Sequence, residues 1–126
     1  MADGKVTVVA TFKAKAGKEE AARDAILSCV APTRAESGCI NYDLHQTADD
    51  PSLFMLYENW VSQKDLDAHL AMPYLKDLLG KAEELFKEPV DIAIWQMISE
   101  PEDLVAQPAS RITAAKRLFS QYGEAE

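Results

Sequence analysis

The stretch that decides the fold is LFMLYENWV, residues 53–61, which is rich in apolar residues on both of its alternating faces. Successive side chains of a β-strand point to opposite faces. One face therefore carries Phe54, Leu56, Glu58 and Trp60, and the other carries Met55, Tyr57 and Asn59. An antiparallel sheet with one face in water alternates apolar and polar residues. Because neither face is clearly polar here, the pattern predicts a strand that is covered on both sides.

Outward from this strand, the hydrophobic period alternates between that of strands and that of helices. The predicted strands are 5–13, 39–47, 53–61 and 90–98, with a turn at 48–52 between the middle two. Helical periods run from residue 19 to Gly38, over 64–71 and over 74–87, and Pro32 predicts a kink or a new start inside the first. The order β-α-β-β-α-β predicts an α+β, ferredoxin-like fold with one antiparallel sheet.

The second face of this sheet needs a cover of its own, because two helices can cover only one. In the fourth strand, Ala93, Trp95 and Met97 lie opposite Ile92 and Ile94. A second copy of the same sheet is the economical cover. We therefore expect a homodimer, or a higher homo-oligomer, in which two sheets pack face to face.

Length and charge exclude several classes of protein. The 126 residues suit one domain at 1–99, followed by a linker and a helical tail at 100–126. A formal charge of −8 argues against nucleic acid and anionic membranes as partners. No export signal or apolar run of about 18 residues is visible, so we expect a cytoplasmic location with Cys29 and Cys39 reduced. The spacing of cysteines and histidines predicts no metal site.

Three motifs around the central strand resemble the antibiotic biosynthesis monooxygenase (ABM) domain family. They are TRAESGCINYD at residues 33–43, FMLYENW at 54–60, and a helical His69. They match that family's E-x-G-C-x-x-Y and P-x-x-F-x-x-x-E-x-W patterns and its helix-borne histidine. The resemblance extends over about residues 5–99. It implies a dimeric α+β barrel of two ferredoxin-like units, which agrees with the argument from two apolar faces.

The family resemblance implies several alternative activities. Its members include cofactor-independent monooxygenases of quinols and anthrones, isomerases of small phosphorylated sugars in quorum-signal breakdown, and haem-degrading enzymes. The haem-degrading pattern needs an Asn in the first strand and a Trp and a His where this chain has His69 and Leu79. We therefore expect a monooxygenase that uses O2 on an aromatic small molecule and needs no cofactor. An isomerase or a non-catalytic ligand-binding domain stays open.

Two residues are candidates for proton transfer. Glu58 shares a strand face with large apolar residues, and loss of water would raise its pKa and make it a better base. Its alternative role is structural, as a buried carboxylate paired with His69 or with a backbone donor. His69 is the second candidate, because imidazole exchanges protons near neutral pH. It could instead be an ordinary residue at the core boundary.

Three aromatic residues are candidates for substrate binding. Trp60 could form a wall against a flat ring, although a tryptophan at a strand end is more often part of a core. Tyr74 stands where many relatives have a second histidine, and its phenol could donate a hydrogen bond to a substrate oxygen. Tyr42 is expected on one strand face with Ile40 and Leu44, as a secondary pocket residue.

Overall fold

The computed structural model describes residues 4–99, which form a four-stranded antiparallel sheet with five helices. The strands are β1 (Val6–Lys13), β2 (Cys39–Thr47), β3 (Asp50–Trp60) and β4 (Asp91–Trp95). The helices are α1 (Glu19–Leu27), α2 (Val30–Arg34), α3 (Gln63–Leu70), α4 (Pro73–Gly80) and α5 (Ala82–Leu85). The predicted linker and helical tail at 100–126 lie outside the described residues.

The sheet has the strand order β2-β3-β1-β4, and every neighbouring pair is antiparallel. The predicted ferredoxin-like order of elements is therefore confirmed. The register places Glu58 of β3 between Val8 of β1 and Tyr42 of β2. Val8 in turn pairs with Ile94 of β4. These four residues form one row across the sheet, and the row becomes the floor of the candidate site.

Proline and glycine explain where the helices begin and end. Pro32 does cause a new start, because α1 ends at Leu27 and α2 begins at Val30. The chain enters α3 through Ser62, whose Oγ accepts a hydrogen bond from the Asp65 backbone N–H at 3.2 Å. The predicted helix at 74–87 is two helices, separated after Gly80. Glycine is a poor helix former, so a break there is local in origin.

The core lies between one face of the sheet and the helices. Its largest fully buried side chains come from β2, β3, α1 and α3 and include Tyr42, Phe54, Trp60, Ile26 and Leu66. The prediction that Ile40 shares the face of Tyr42 is wrong, since Ile40 is 51% exposed. The pairing of β2 with β3 shifts register between Cys39 and Asn41. Such a bulge adds one residue to the strand and turns its side chain away from the core.

Gly38 marks the closest approach between the start of β2 and α3. A Cβ atom at this position would lie 2.2 Å from Cγ and 2.3 Å from Cβ of Asp65. Asp65 cannot easily move, because its backbone N–H and its carboxylate both bond to the Ser62 hydroxyl. Gly38→Ala should therefore lower the free energy of unfolding by about 1–3 kcal/mol, measured by urea denaturation.

The matched control is Gly80→Ala, where an added Cβ would meet no atom within 4 Å. This change should leave stability unaltered or raise it by about 0.4–1 kcal/mol, because alanine restricts the unfolded chain. Equal stability of the two variants would contradict the proposed clash.

The outer face of the sheet is partly apolar, as the sequence predicted. Tyr57 and Trp95 lie on it, and the Trp95 side chain is 61% exposed. A row of hydrogen bonds crosses the same face, in which Thr7 Oγ1 donates to Asn59 Oδ1 and Asn59 Nδ2 donates to Asn41 Oδ1. This row ties three strands together and explains why Asn59 is buried. Within residues 4–99, no helix is long and apolar enough to span a membrane.

Candidate active site

A small cavity of about 40 Å³ lies between the core face of the sheet and helices α3 and α4. Of its lining side chains within residues 4–99, those of Tyr42, Glu58 and His69 are polar and the others are apolar. The lining includes four partly exposed residues from α3, α4 and β4, namely Leu70, Leu79, Ile92 and Ile94. We take these four as the mouth of the cavity. The three polar groups thus face the same largely apolar cavity.

Glu58 is 4% exposed on the floor of this cavity. Burial raises its pKa from the ordinary 4.5 to about 7, and the negative charge of Glu36 adds to the rise. The indole Nε1–H of Trp60 donates a hydrogen bond to Glu58 Oε1 at 2.9 Å, which partly offsets that rise. The partner of this oxygen is thus a side chain of the same strand, and not His69 or a backbone donor. A carboxyl with a pKa near 7 can take up or release a proton at neutral pH.

His69 lines the same cavity from α3 and is only 2% exposed. Its ring centroid lies 4.5 Å from that of Trp60 and 5.4 Å from that of Tyr42. Its Nδ1 lies 2.9 Å from Oε2 of Glu36, a carboxylate in the turn between α2 and β2. The imidazole is therefore held on two sides by rings and at one nitrogen by a carboxylate.

The three aromatic candidates divide into one lining residue and two supporting residues. Tyr42 lines the cavity, and burial raises the pKa of its phenol well above the usual range. Trp60 and Tyr74, predicted to contact substrate, are not among the lining side chains. Trp60 is fully buried and holds Glu58. Tyr74 donates from its Oη to Glu36 Oε2, and burial followed by this bond raises its pKa to about 12.

Glu36 is a member of the site that was not predicted from the sequence. It is the first residue of the E-x-G-C-x-x-Y motif, so the signal was present in the sequence. Cys39 of the same motif has a pKa raised to about 11, chiefly by burial and then by the charge of Glu36. Its thiol is therefore protonated at neutral pH, as expected for a cysteine without a nucleophilic role.

The arrangement is suited to removing a proton from an apolar substrate. Glu58 and His69 can each accept a proton, and the Tyr42 phenol can donate a hydrogen bond to the anion that forms. Charge that develops in such a site is governed by these fixed groups, because a small apolar cavity leaves little room for water to compete. Within residues 4–99, no three His, Cys, Asp or Glu side chains are grouped as a metal site would need.

Comparison with known proteins places this geometry in a family. The family model described as antibiotic biosynthesis monooxygenase matches residues 5–80. The "Putative monooxygenase Rv0793" of Mycobacterium tuberculosis is 33% identical over 95 residues, which are 75% of this chain and 93% of that protein. The "Putative monooxygenase YcnE" of Bacillus subtilis is 26% identical over 87 residues, which are 69% of this chain and 92% of that protein.

Solved structures agree with these matches. The structure of Rv0793 has a TM-score of 0.74 at 30% identity and covers 79% of this chain and 100% of its own. That of PA3566 from Pseudomonas aeruginosa has a TM-score of 0.73 at 31% identity and covers 79% and 99%. The family resemblance drawn from the motifs is therefore confirmed.

Proposed function

Because the chain belongs to the antibiotic biosynthesis monooxygenase family, we propose that it oxidises a quinol, an anthrone or a related aromatic molecule with O2 and without a bound cofactor. The observation that carries the proposal is Glu58, a buried carboxyl with a pKa of about 7 that lines an apolar cavity together with His69. A base of this kind can remove a proton from an acidic phenol or an activated CH2 group, and apolar walls can bind a flat ring.

The proposed reaction begins with transfer of a substrate proton to Glu58 or His69. The resulting carbanion or phenolate gives one electron to O2, and the two radicals combine to form a C–O bond. For an anthrone, the CH2 carbon becomes a carbonyl carbon, and the two hydrogens leave with the second oxygen atom as water. Substrate and O2 thus balance the reaction, and no external reductant is needed. The protein removes water, holds the ring and stabilises the anion.

Substrate binding requires the cavity to widen. Pockets for small molecules usually measure about 300–1,000 Å³, whereas this cavity holds about 40 Å³. We expect the widening at the mouth, where Leu70 and Leu79 of the helices face Ile92 and Ile94 of β4. These four side chains are already partly exposed, so separating them exposes less additional apolar surface than separating core residues would.

The isomerase alternative has less support. A phosphorylated sugar needs cationic side chains at its phosphate, and the described lining of the cavity contains no Lys or Arg. Arg34 does not line the cavity; it donates hydrogen bonds to Asp43 and to the Tyr42 carbonyl. Lys76 and Lys81 are exposed and do not line the cavity.

Oxygen uptake by the purified, chelator-treated protein tests the proposed function. We expect uptake above the rate of autoxidation with at least one member of a panel of quinols and anthrones. With ¹⁸O2 the product should carry one labelled oxygen atom. Turnover of a phosphorylated sugar without oxygen would favour the isomerase instead. No turnover of either class, with a small molecule retained through purification and identified by mass spectrometry, would favour a binding domain.

We also propose that two copies of the chain pack through their outer sheet faces. Exposed Tyr57 and Trp95 support this proposal, because large apolar side chains clustered on one face favour association. Light scattering after gel filtration should give twice the chain mass of 13.9 kDa. The double variant Tyr57→Asp/Trp95→Asp should shift the protein to the monomer, whereas Leu27→Asp on α1, also exposed, should not. A monomeric wild type would contradict the proposal.

A further inference from the structure

Glu36 joins two helices to the turn before β2 through a single oxygen atom. Its Oε2 accepts hydrogen bonds from His69 Nδ1 of α3, at 2.9 Å, and from Tyr74 Oη of α4. The side chain of Glu36 is 9% exposed and that of His69 is 2% exposed. A buried carboxylate is costly unless hydrogen bonds satisfy it. The two donors supply such bonds and so stabilise the negative charge of Glu36 at this position.

The bond to Glu36 has a consequence for the chemistry of His69. An ionised carboxylate can only accept hydrogen bonds, so Nδ1 must carry a hydrogen to take part. The neutral imidazole is then the Nδ1–H tautomer, with its lone pair on Nε2. Since His69 lines the cavity, Nε2 is the nitrogen that can receive a proton from a substrate. A base whose second nitrogen is oriented by a carboxylate is a recurring device in proton transfer.

We propose that Glu36 is the positioning residue of the site: it fixes the tautomer and orientation of His69 so that Nε2 is the proton acceptor. Tyr74 completes the arrangement by holding the same oxygen of Glu36. The catalytic consequence rests on the proposed function, whereas the tautomer can be measured without any substrate. The competing explanation is a purely structural tie between α3, α4 and the turn before β2.

The tautomer of His69 tests the proposal directly. The chain has two histidines, so the long-range ¹H–¹⁵N spectrum of ¹⁵N-histidine-labelled protein is simple, and His45→Gln assigns it. At a pH where the imidazole is neutral, wild-type His69 should show the Nδ1–H pattern. Glu36→Leu should convert it largely to Nε2–H, and the matched surface change Glu20→Leu should not. A wild-type Nε2–H pattern, or a pattern unchanged by Glu36→Leu, would overturn the proposal.

A milder variant guards against misfolding of Glu36→Leu. Tyr74→Phe keeps the ring and removes only the donor to Glu36. Glu36 is then held less firmly beside His69, so the fraction of His69 in the Nε2–H tautomer should rise while the fold is retained. If the tautomer stays wholly Nδ1–H in this variant and also in Glu36→Leu, the proposal is wrong. The wild-type spectrum is decisive even if neither variant can be purified.

Kinetics then separates this proposal from the proposed function. With a substrate found by oxygen uptake, Glu36→Leu should lower kcat by about 10²-fold with little change in KM, as expected when a reacting group is misplaced. A tautomer change in a protein that oxidises nothing would support the role of Glu36 and contradict the monooxygenase proposal. An active enzyme with no tautomer change would support the monooxygenase proposal and contradict the role of Glu36.

Discussion

Glu58→Gln should lower kcat by about 10²–10⁴-fold and leave the fold intact. This range is what a positioned general base contributes. Glutamine has nearly the shape of glutamate, and its amide oxygen can still accept the bond from Trp60 Nε1, but the amide cannot take up a proton. The cavity keeps its size and lining, so KM should change little. Oxygen uptake at saturating substrate, together with a thermal unfolding curve, measures both quantities.

The control for this change is Glu20→Gln, which removes a carboxylate from the exposed face of α1. It should keep full activity. Full activity of Glu58→Gln would contradict a role for this carboxyl as base. In that case His69→Gln becomes the decisive variant, because His69 would be the remaining acceptor. If both variants turn over substrate normally, neither Glu58 nor His69 is the base, and the role of both residues is structural.

The sequence predicted the strand that carries the site because its signal is local. Alternation along residues 53–61 puts Glu58 and Trp60 on one face, and their hydrogen bond follows from that spacing of two residues. The apolar character of both sheet faces was visible for the same reason. The bulge at Ile40 was not visible, because a single added residue leaves no mark in a short apolar pattern.

The partner of His69 could not be predicted from spacing. Glu36 lies 33 residues before His69 in the sequence and meets it only because α3 packs beside the start of β2. Gly38 allows that approach, since any larger residue would collide with Asp65. Glu36 lies in the turn between α2 and β2, outside any helix or strand, so no periodicity shows that its side chain is turned inward. The family motif marked Glu36 and Gly38, but a motif alone does not say which atoms meet.

The stability of the wild type relative to Glu58→Gln should fall as pH rises, by up to about 3 kcal/mol. The pKa of Glu58 is about 7 in the folded chain, against an ordinary 4.5. Folding therefore favours the protonated carboxyl, and its contribution is complete below pH 4.5 and lost as pH rises to 7. Each unit of pKa difference corresponds to about 1.4 kcal/mol. The glutamine of the variant has no proton to lose, so this dependence is absent there.

Urea denaturation of both proteins at pH 4.5, 6 and 8 measures this difference. Other groups cancel in the comparison, including Asp50, whose pKa is lowered by hydrogen bonds from Ser52 and which acts in the opposite direction. The groups around Glu58 are Trp60 on its own strand, Tyr42 on β2, His69 on α3 and Glu36 in the turn before β2. Trp60→Phe removes the hydrogen bond that lowers the pKa of Glu58, so the fall in the free energy of unfolding should extend to higher pH. If the free energies of unfolding of wild type and Glu58→Gln change in parallel with pH, the carboxyl is not desolvated. Glu58 would then lack the raised pKa that suits it to act as a base.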